Sequence, residues 1–143
     1  MLFALVNAAQ RGVQVKILTA GKCDVPLINA AANYIYAFLL RHNIAIHEMA
    51  SQELHAKTYV IDGKMAMVGS YNLDMLSYKR LLEVSLVTSE LRLAQQLESH
   101  FQQDLLKSPR VDLQTYSNRP WYVRLGQYTA FTLFMAMVEV KFL

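Results

Sequence analysis

An Asp-Gly pair, Asp62-Gly63, joins two runs that hold no further glycine and no proline, Ala56-Lys57-Thr58-Tyr59-Val60-Ile61 and Lys64-Met65-Ala66-Met67-Val68. The tightest hairpin turn needs positive φ at both central residues, which Asp-Gly tolerates, so the pair predicts a β-hairpin. With Ile61 opposite Lys64, counting back sets Lys57 opposite Val68 and His55 opposite Ser70. Side chains alternate along a strand, so His55, Lys57 and Ser70 share one face, and Asn72 follows if the strand persists. Four polar groups then converge where core residues would otherwise sit. Asp62 has the opposite parity, and geometry alone makes it a turn former.

These four groups fit one chemistry. A neutral imidazole is a competent nucleophile near neutral pH, and its attack on phosphorus gives a phosphohistidine that splits one displacement into two. The Lys57 ammonium, Ser70 hydroxyl and Asn72 amide can donate to phosphoryl oxygens, where charge builds in the transition state. Such a mechanism calls for no metal and no cofactor. Glu83, on the next strand, is placed to accept from the second ring nitrogen of His55, which would fix the tautomer. Singly, each of these residues reads as a solvated strand residue or an ordinary turn; the combined spacing carries the argument.

That spacing, His55-x-Lys57, four residues, Asp62, six residues, Gly69-Ser70-x-Asn72, resembles the signature of the phospholipase D superfamily. The resemblance implies His55 as nucleophile, Lys57, Ser70 and Asn72 as phosphate ligands, Asp62 as a support of the motif, and Glu83 as the acidic partner of the histidine. Within the superfamily the chain is most similar to bacterial cardiolipin synthases, through Arg11-Gly12-Val13-x-Val15, Gly21-Lys22-x-Asp24-x-Pro26-Leu27, Leu54-His55-Ala56-Lys57, Asn72-Leu73-Asp74 with Ser77, Glu83-Val84 and Arg119-Pro120-Trp121. The likeness implies transfer of a phosphatidyl group from phosphatidylglycerol to a second phospholipid. It also implies anionic phospholipid substrates and a peripheral place on the cytoplasmic side of the bacterial cytoplasmic membrane.

Enzymes of this pattern carry two motifs, because the leaving alcohol needs a general acid from a second histidine. Here there is one. His42, His47 and His100 lack a lysine two residues on and read as surface or loop histidines. The second motif therefore comes from an N-terminal half of a longer protein, which the abrupt helical start favours, or from a homodimer partner. A homodimeric phosphodiesterase or nuclease and an inactive interaction module are the alternatives. Basic stretches interleaved with aromatics along a groove, which would favour nucleic acid, are not evident outside the tail, so no nucleic-acid partner is expected.

Composition agrees with this. At 143 residues the chain is one domain's worth, and with 54% hydrophobic and 17% charged residues it is too apolar for disorder. A net charge of +3 favours an anionic partner, lipid or nucleic acid. The single Cys23 excludes an intrachain disulfide or a thiolate cluster and reads as core filler. No signal peptide is visible at the start.

Along the chain, Leu2, Leu5, Val6 and Ala9 share one helical face ended by Gly12, and 13–18 alternates as a strand. Pro26 opens a helix to about Arg41 with Leu27, Ala31, Tyr34 and Phe38 inward; Ile44-Ala45-Ile46 and Leu82 to Val87 read as strands. Thr88 or Ser89 caps a helix to about Leu106 whose core face is Leu91, Ala94, Leu97, Phe101 and Leu105. The pattern predicts an α/β layered fold of phospholipase D type, a mixed β-sheet flanked by helices. Residues 1–108 form the half-domain and 109–143 an apolar, aromatic C-terminal extension.

In that extension, Arg119, Trp121, Tyr122 and Arg124 precede an uncharged run from Tyr128 to Val138, 11 residues where a span takes roughly 20. The run reads either as an in-plane membrane anchor or as a segment that packs on a missing half or partner, with Glu139 counting against lipid. Gly21-Lys22 is no Walker loop, since Lys16 stands where its first glycine belongs; it reads as a solvated turn or a headgroup contact.

Overall fold

The computed structural model describes residues 2–21, 25–50 and 54–139. Cys23, Lys22 and Asp24, and with them the core-filler and headgroup readings, lie outside the described residues. The elements run α1 (Leu2–Gln10), β1 (Lys16–Ala20), α2 (Pro26–Arg41), β2 (Ala45–Met49), β3 (Thr58–Ile61), β4 (Met65–Gly69), α3 (Met75–Lys79), β5 (Ser85–Thr88), α4 (Leu91–Leu106), α5 (Leu113–Ser117) and α6 (Trp121–Glu139).

Gly12 ends α1 with φ of 91°, which lets its N–H reach the Ala9 carbonyl and that of Val13 reach Ala8. Because Val13 is spent on this cap, β1 begins at Lys16 rather than at Val13. Pro26 starts α2, where a missing N–H costs nothing. Asn43, at φ of 59°, turns the chain from α2 into β2. The helix is the crossover that makes β1 and β2 parallel, Lys16 beside Ala45 through Ala20 beside Met49.

On its other side β2 is flanked by residues 109–111. Val111 N–H donates to the Ile46 carbonyl at 2.8 Å and Glu48 N–H to that of Pro109 at 3.1 Å. The core accordingly joins Val6, Leu39, Leu40, Ile44 and Ile46 to Val111 and Tyr116, with Leu2, Leu5 and Ala9 of α1 packed against it. Helix α6 lies along α2, and Tyr34 meets the rings of Tyr128 and Phe131 at 5.6 and 5.0 Å. Asn33 Oδ1 accepts from the Tyr116 hydroxyl at 2.5 Å and from Arg119 at 3.2 Å. The Arg119 guanidinium stacks 3.6 Å from the Tyr116 ring centroid.

The second sheet is antiparallel in the order β3-β4-β5. The mixed character expected of one sheet is thus divided between a parallel pair and an antiparallel triple. Helix α4 packs on β3 and β4 and reaches β2, burying Ala94 and Leu105, while Leu91 stays exposed. Its cap is neither Thr88 nor Ser89 but Glu90, whose carboxylate accepts from Arg92 and Leu93 N–H. Thr88 is one step back, accepting from Glu90 N–H at 3.0 Å. No helix among the described residues is long and apolar enough to cross a membrane.

Candidate active site

The hairpin forms as predicted in type but not in register. Asp62 and Gly63 both take positive φ, 52° and 61°, and Lys64 N–H donates to the Ile61 carbonyl at 3.0 Å. The ladder, however, resumes with Ile61 opposite Met65, so Lys64 is an extra residue in the loop. One added residue shifts every later pair. Thr58, not Lys57, faces Val68. Lys57 falls across from Gly69, whose N–H donates to the Lys57 carbonyl at 3.2 Å, and His55 precedes β3 on an exposed stretch. Asp62 sits at the hairpin tip, about 16 Å along the strand from Lys57.

At Gly69 the chain entering β5 comes close against β4. A Cβ there would collide with the Val84 carbonyl and with Ser85 in the adjoining strand. This approach brings Ser70 against the segment ahead of β5. Ser70 N–H donates to the Val84 carbonyl at 3.0 Å, and its Oγ accepts from Val84 N–H at 3.1 Å. The ladder ends at Gly69 opposite Ser85, so Glu83 lies just before β5 and not within a strand.

The Ser70 hydroxyl donates to Glu83 Oε2 in a short hydrogen bond. The expected pairing of Glu83 with the His55 ring is thereby replaced: the partners of this carboxylate among the described residues are the hydroxyls of Ser70 and Ser77. Those two bonds, with the nearby Lys57 charge, hold the Glu83 carboxyl below the usual carboxylate range. Lys57 Nζ donates to the main-chain carbonyl of His55 at 2.7 Å, which ties the ammonium to the stretch bearing the imidazole.

Ser77 is the member of this cluster to which residue-by-residue reasoning gave no role. It is 3% exposed; its Oγ accepts from Asn72 N–H at 3.3 Å while donating to Glu83. Its own N–H donates to Asp74 Oδ1 at 2.7 Å, the cap of α3. An Asp three residues before a Ser is a capping pattern, so the signal was available in Asp74 and Ser77. The structure therefore gathers Lys57, Ser70, Ser77 and Glu83, with the Asn72 backbone, at one end of the antiparallel sheet. It leaves Asp62 at the other.

The remaining histidines are placed otherwise. His42 caps α2 with its ring on the Phe38 carbonyl at 2.8 Å, and His100 is exposed. His47 corrects the surface-or-loop reading: it lies half-buried on β2 with its ring on the Ser108 carbonyl at 3.0 Å.

The family described as cardiolipin synthase, PLD-like domain, matches residues 1–105. Cardiolipin synthase B of Salmonella typhi is 32% identical over 123 residues, covering 85% of this chain and 30% of that protein. A cardiolipin synthase of Geobacillus sp. is 30% identical over 87% of this chain and 25% of its own length. Cardiolipin synthase B of Escherichia coli K12 is 33% identical over 69% of this chain and 24% of its own. The chain thus spans less than a third of the length of these curated relatives. Among solved structures, a phospholipase D family member, Nuc from Salmonella typhimurium, superposes with a TM-score of 0.66 at 23% identity, covering 77% of this chain and 72% of that one. A likeness at that identity concerns the fold.

Proposed function

The chain belongs to the cardiolipin synthase family of phospholipase D-like domains, and from that premise we propose that it is half of a phosphatidyltransferase site, moving a phosphatidyl group from phosphatidylglycerol to a second phospholipid through His55. The observation that carries the reading is the meeting of Lys57, Ser70 and a low-pKa Glu83 beside the exposed His55 stretch.

In the first displacement an imidazole nitrogen of His55 attacks phosphorus, the bond to the glycerol oxygen breaks, and that oxygen takes a proton from an acid on a second motif. In the second, the acceptor hydroxyl gives its proton to that same group and attacks phosphorus, and the phosphorus–nitrogen bond breaks to free His55. Lys57, Ser70 and Asn72 donate to the phosphoryl oxygens in both. A serine hydroxyl has a single proton to give, and here Ser70 gives it to Glu83. Phosphate must therefore compete with Glu83 for that proton, whereas Lys57, with one donor on the His55 carbonyl, keeps others for substrate. Asp62 acts through the turn that sets the length of the hairpin. The second motif belongs to another half-domain, from a longer protein or a second copy, and the enzyme works at the bacterial cytoplasmic membrane that holds its substrates.

The test is cardiolipin formation from phosphatidylglycerol in membranes carrying the complete protein. His55→Ala is expected to abolish it, and synthesis retained by the variant would overturn the proposal. A parallel incubation with single-stranded DNA reads out the alternative: His55-dependent cleavage without lipid transfer would replace the transferase with a phosphodiesterase.

A further inference from the structure

Helix α6 turns two faces. Ala130 and Val138 are buried and Phe131 is packed on Tyr34 of α2. The other face leaves Trp121, Tyr122, Leu125, Leu133 and Met137 exposed, Trp121 to 74%, with the half-exposed Tyr128 at the border, its ring on Tyr34. Between Trp121 and Val138 the only charged residue is Arg124.

The two threonine hydroxyls on that face are already satisfied. Thr129 Oγ1 donates to the Leu125 carbonyl at 2.9 Å and Thr132 Oγ1 to that of Thr129 at 2.9 Å. An apolar medium penalises an unpaired hydroxyl, and these two are paired within the helix. Glu139, which in the sequence counted against lipid, is neutralised by Lys79 at 2.8 Å. What remains at the Trp121 end is positive: Arg124 is exposed, whereas Arg119, just ahead of the helix, is half-buried on Asn33 and the Tyr116 ring. The Trp121 and Tyr122 rings meet there at 6.1 Å, ring bodies with a polar tip of the kind that sits at headgroup depth.

We infer that the exposed face of α6 is a docking surface for an anionic lipid bilayer, on which the helix lies in the plane of the interface. A protein partner would also cover apolar side chains; the exposed Arg124 beside the interfacial Trp121 and Tyr122 selects the anionic lipid surface. The inference rests on the phospholipid-transfer reading only in that choice of lipid, and it assigns the surface by which the site is held to its substrates.

Trp121 is the sole tryptophan of the chain and serves as the probe. Addition of phosphatidylglycerol vesicles is expected to shift its emission to shorter wavelength and to allow quenching by brominated acyl chains, more strongly than phosphatidylcholine vesicles do. Leu125→Glu combined with Leu133→Glu, both already solvent-exposed, is expected to weaken partitioning at least about tenfold with the far-ultraviolet circular dichroism unchanged. Emission indifferent to phosphatidylglycerol vesicles would overturn the inference, and needs no variant to fold. So would emission already shifted without lipid in a species that sediments as a complex, since a protein then covers the face. The two proposals fail separately: His55-dependent transfer with lipid-blind Trp121 removes the docking surface alone, and vesicle docking without His55-dependent transfer removes the transferase alone.

Discussion

The Ser70 hydroxyl donates to the Glu83 carboxylate across the last gap between β4 and the segment entering β5, with Ser77 donating to the same carboxylate from α3. A carboxylate fed by two hydroxyls and faced by Lys57 is more stable ionised than protonated, which is why its pKa is lowered.

Glu83→Gln tests that electrostatic role. A carboxyl whose folded pKa is depressed contributes stability above its ordinary value, near 4.5, and loses it as pH falls through the lower folded value. The urea midpoint of the wild type is expected to drop more than that of Glu83→Gln between near-neutral pH and about pH 3. Equal drops would show that the carboxylate contributes nothing.

Ser77→Ala cuts the one side chain that joins Asn72 to Glu83. Loss of this buried hydroxyl strands the part-buried Asn72 N–H, while Glu83 keeps Ser70, and is expected to cost about 1 kcal/mol in chemical denaturation. The Glu83 carboxyl should also titrate nearer its ordinary value, which side-chain carbon NMR across an acid titration reads directly.

Gly69→Ala places a methyl group on the Val84 carbonyl and on Ser85. Both are backbone-bound and have little room to yield, so a loss of about 2 kcal/mol or more is expected in the denaturation midpoint. A midpoint unchanged from wild type would mean that β5 sits further from β4 than described.

Asn33→Ala removes the oxygen that takes both the Tyr116 hydroxyl and Arg119. With Tyr116 buried, the orphaned hydroxyl is expected to cost about 1–3 kcal/mol. Pairing it with Tyr116→Phe should recover part of the loss, because the buried Tyr116 hydroxyl is then no longer stranded; a full additive cost would speak against the bond.

Local chemistry was the legible part. Gly12, Pro26 and Asp62-Gly63 announce a helix end, a helix start and a turn through backbone properties that belong to the residue itself. The spacing draws Lys57 and Ser70 to the same end of the hairpin, but not by the face-sharing it predicts: Lys57 lies across from Gly69, and Ser70 meets Glu83 through the Val84 segment. The register was not legible, because a two-residue and a three-residue loop read identically until Lys64 is seen to stand outside the ladder. Nor was the Glu83 partner, since it depends on how close β5 can come at Gly69, a contact between residues far apart in sequence. The Glu90 cap is masked in the sequence because Thr88 and Ser89 are commoner cap residues and stand beside it.

The clasp of residues 109–111 on β2, with Tyr116 beyond it, also sets an order of events during synthesis. The β3-β4 hairpin pairs near neighbours and can close as soon as it leaves the ribosome. The hydrophobic interior around Ile46 cannot, because two of its walls, Val111 and Tyr116, are made more than sixty residues later. Until they arrive, the nascent chain presents an open apolar seam, and it is this stage of its life that calls most for chaperone cover.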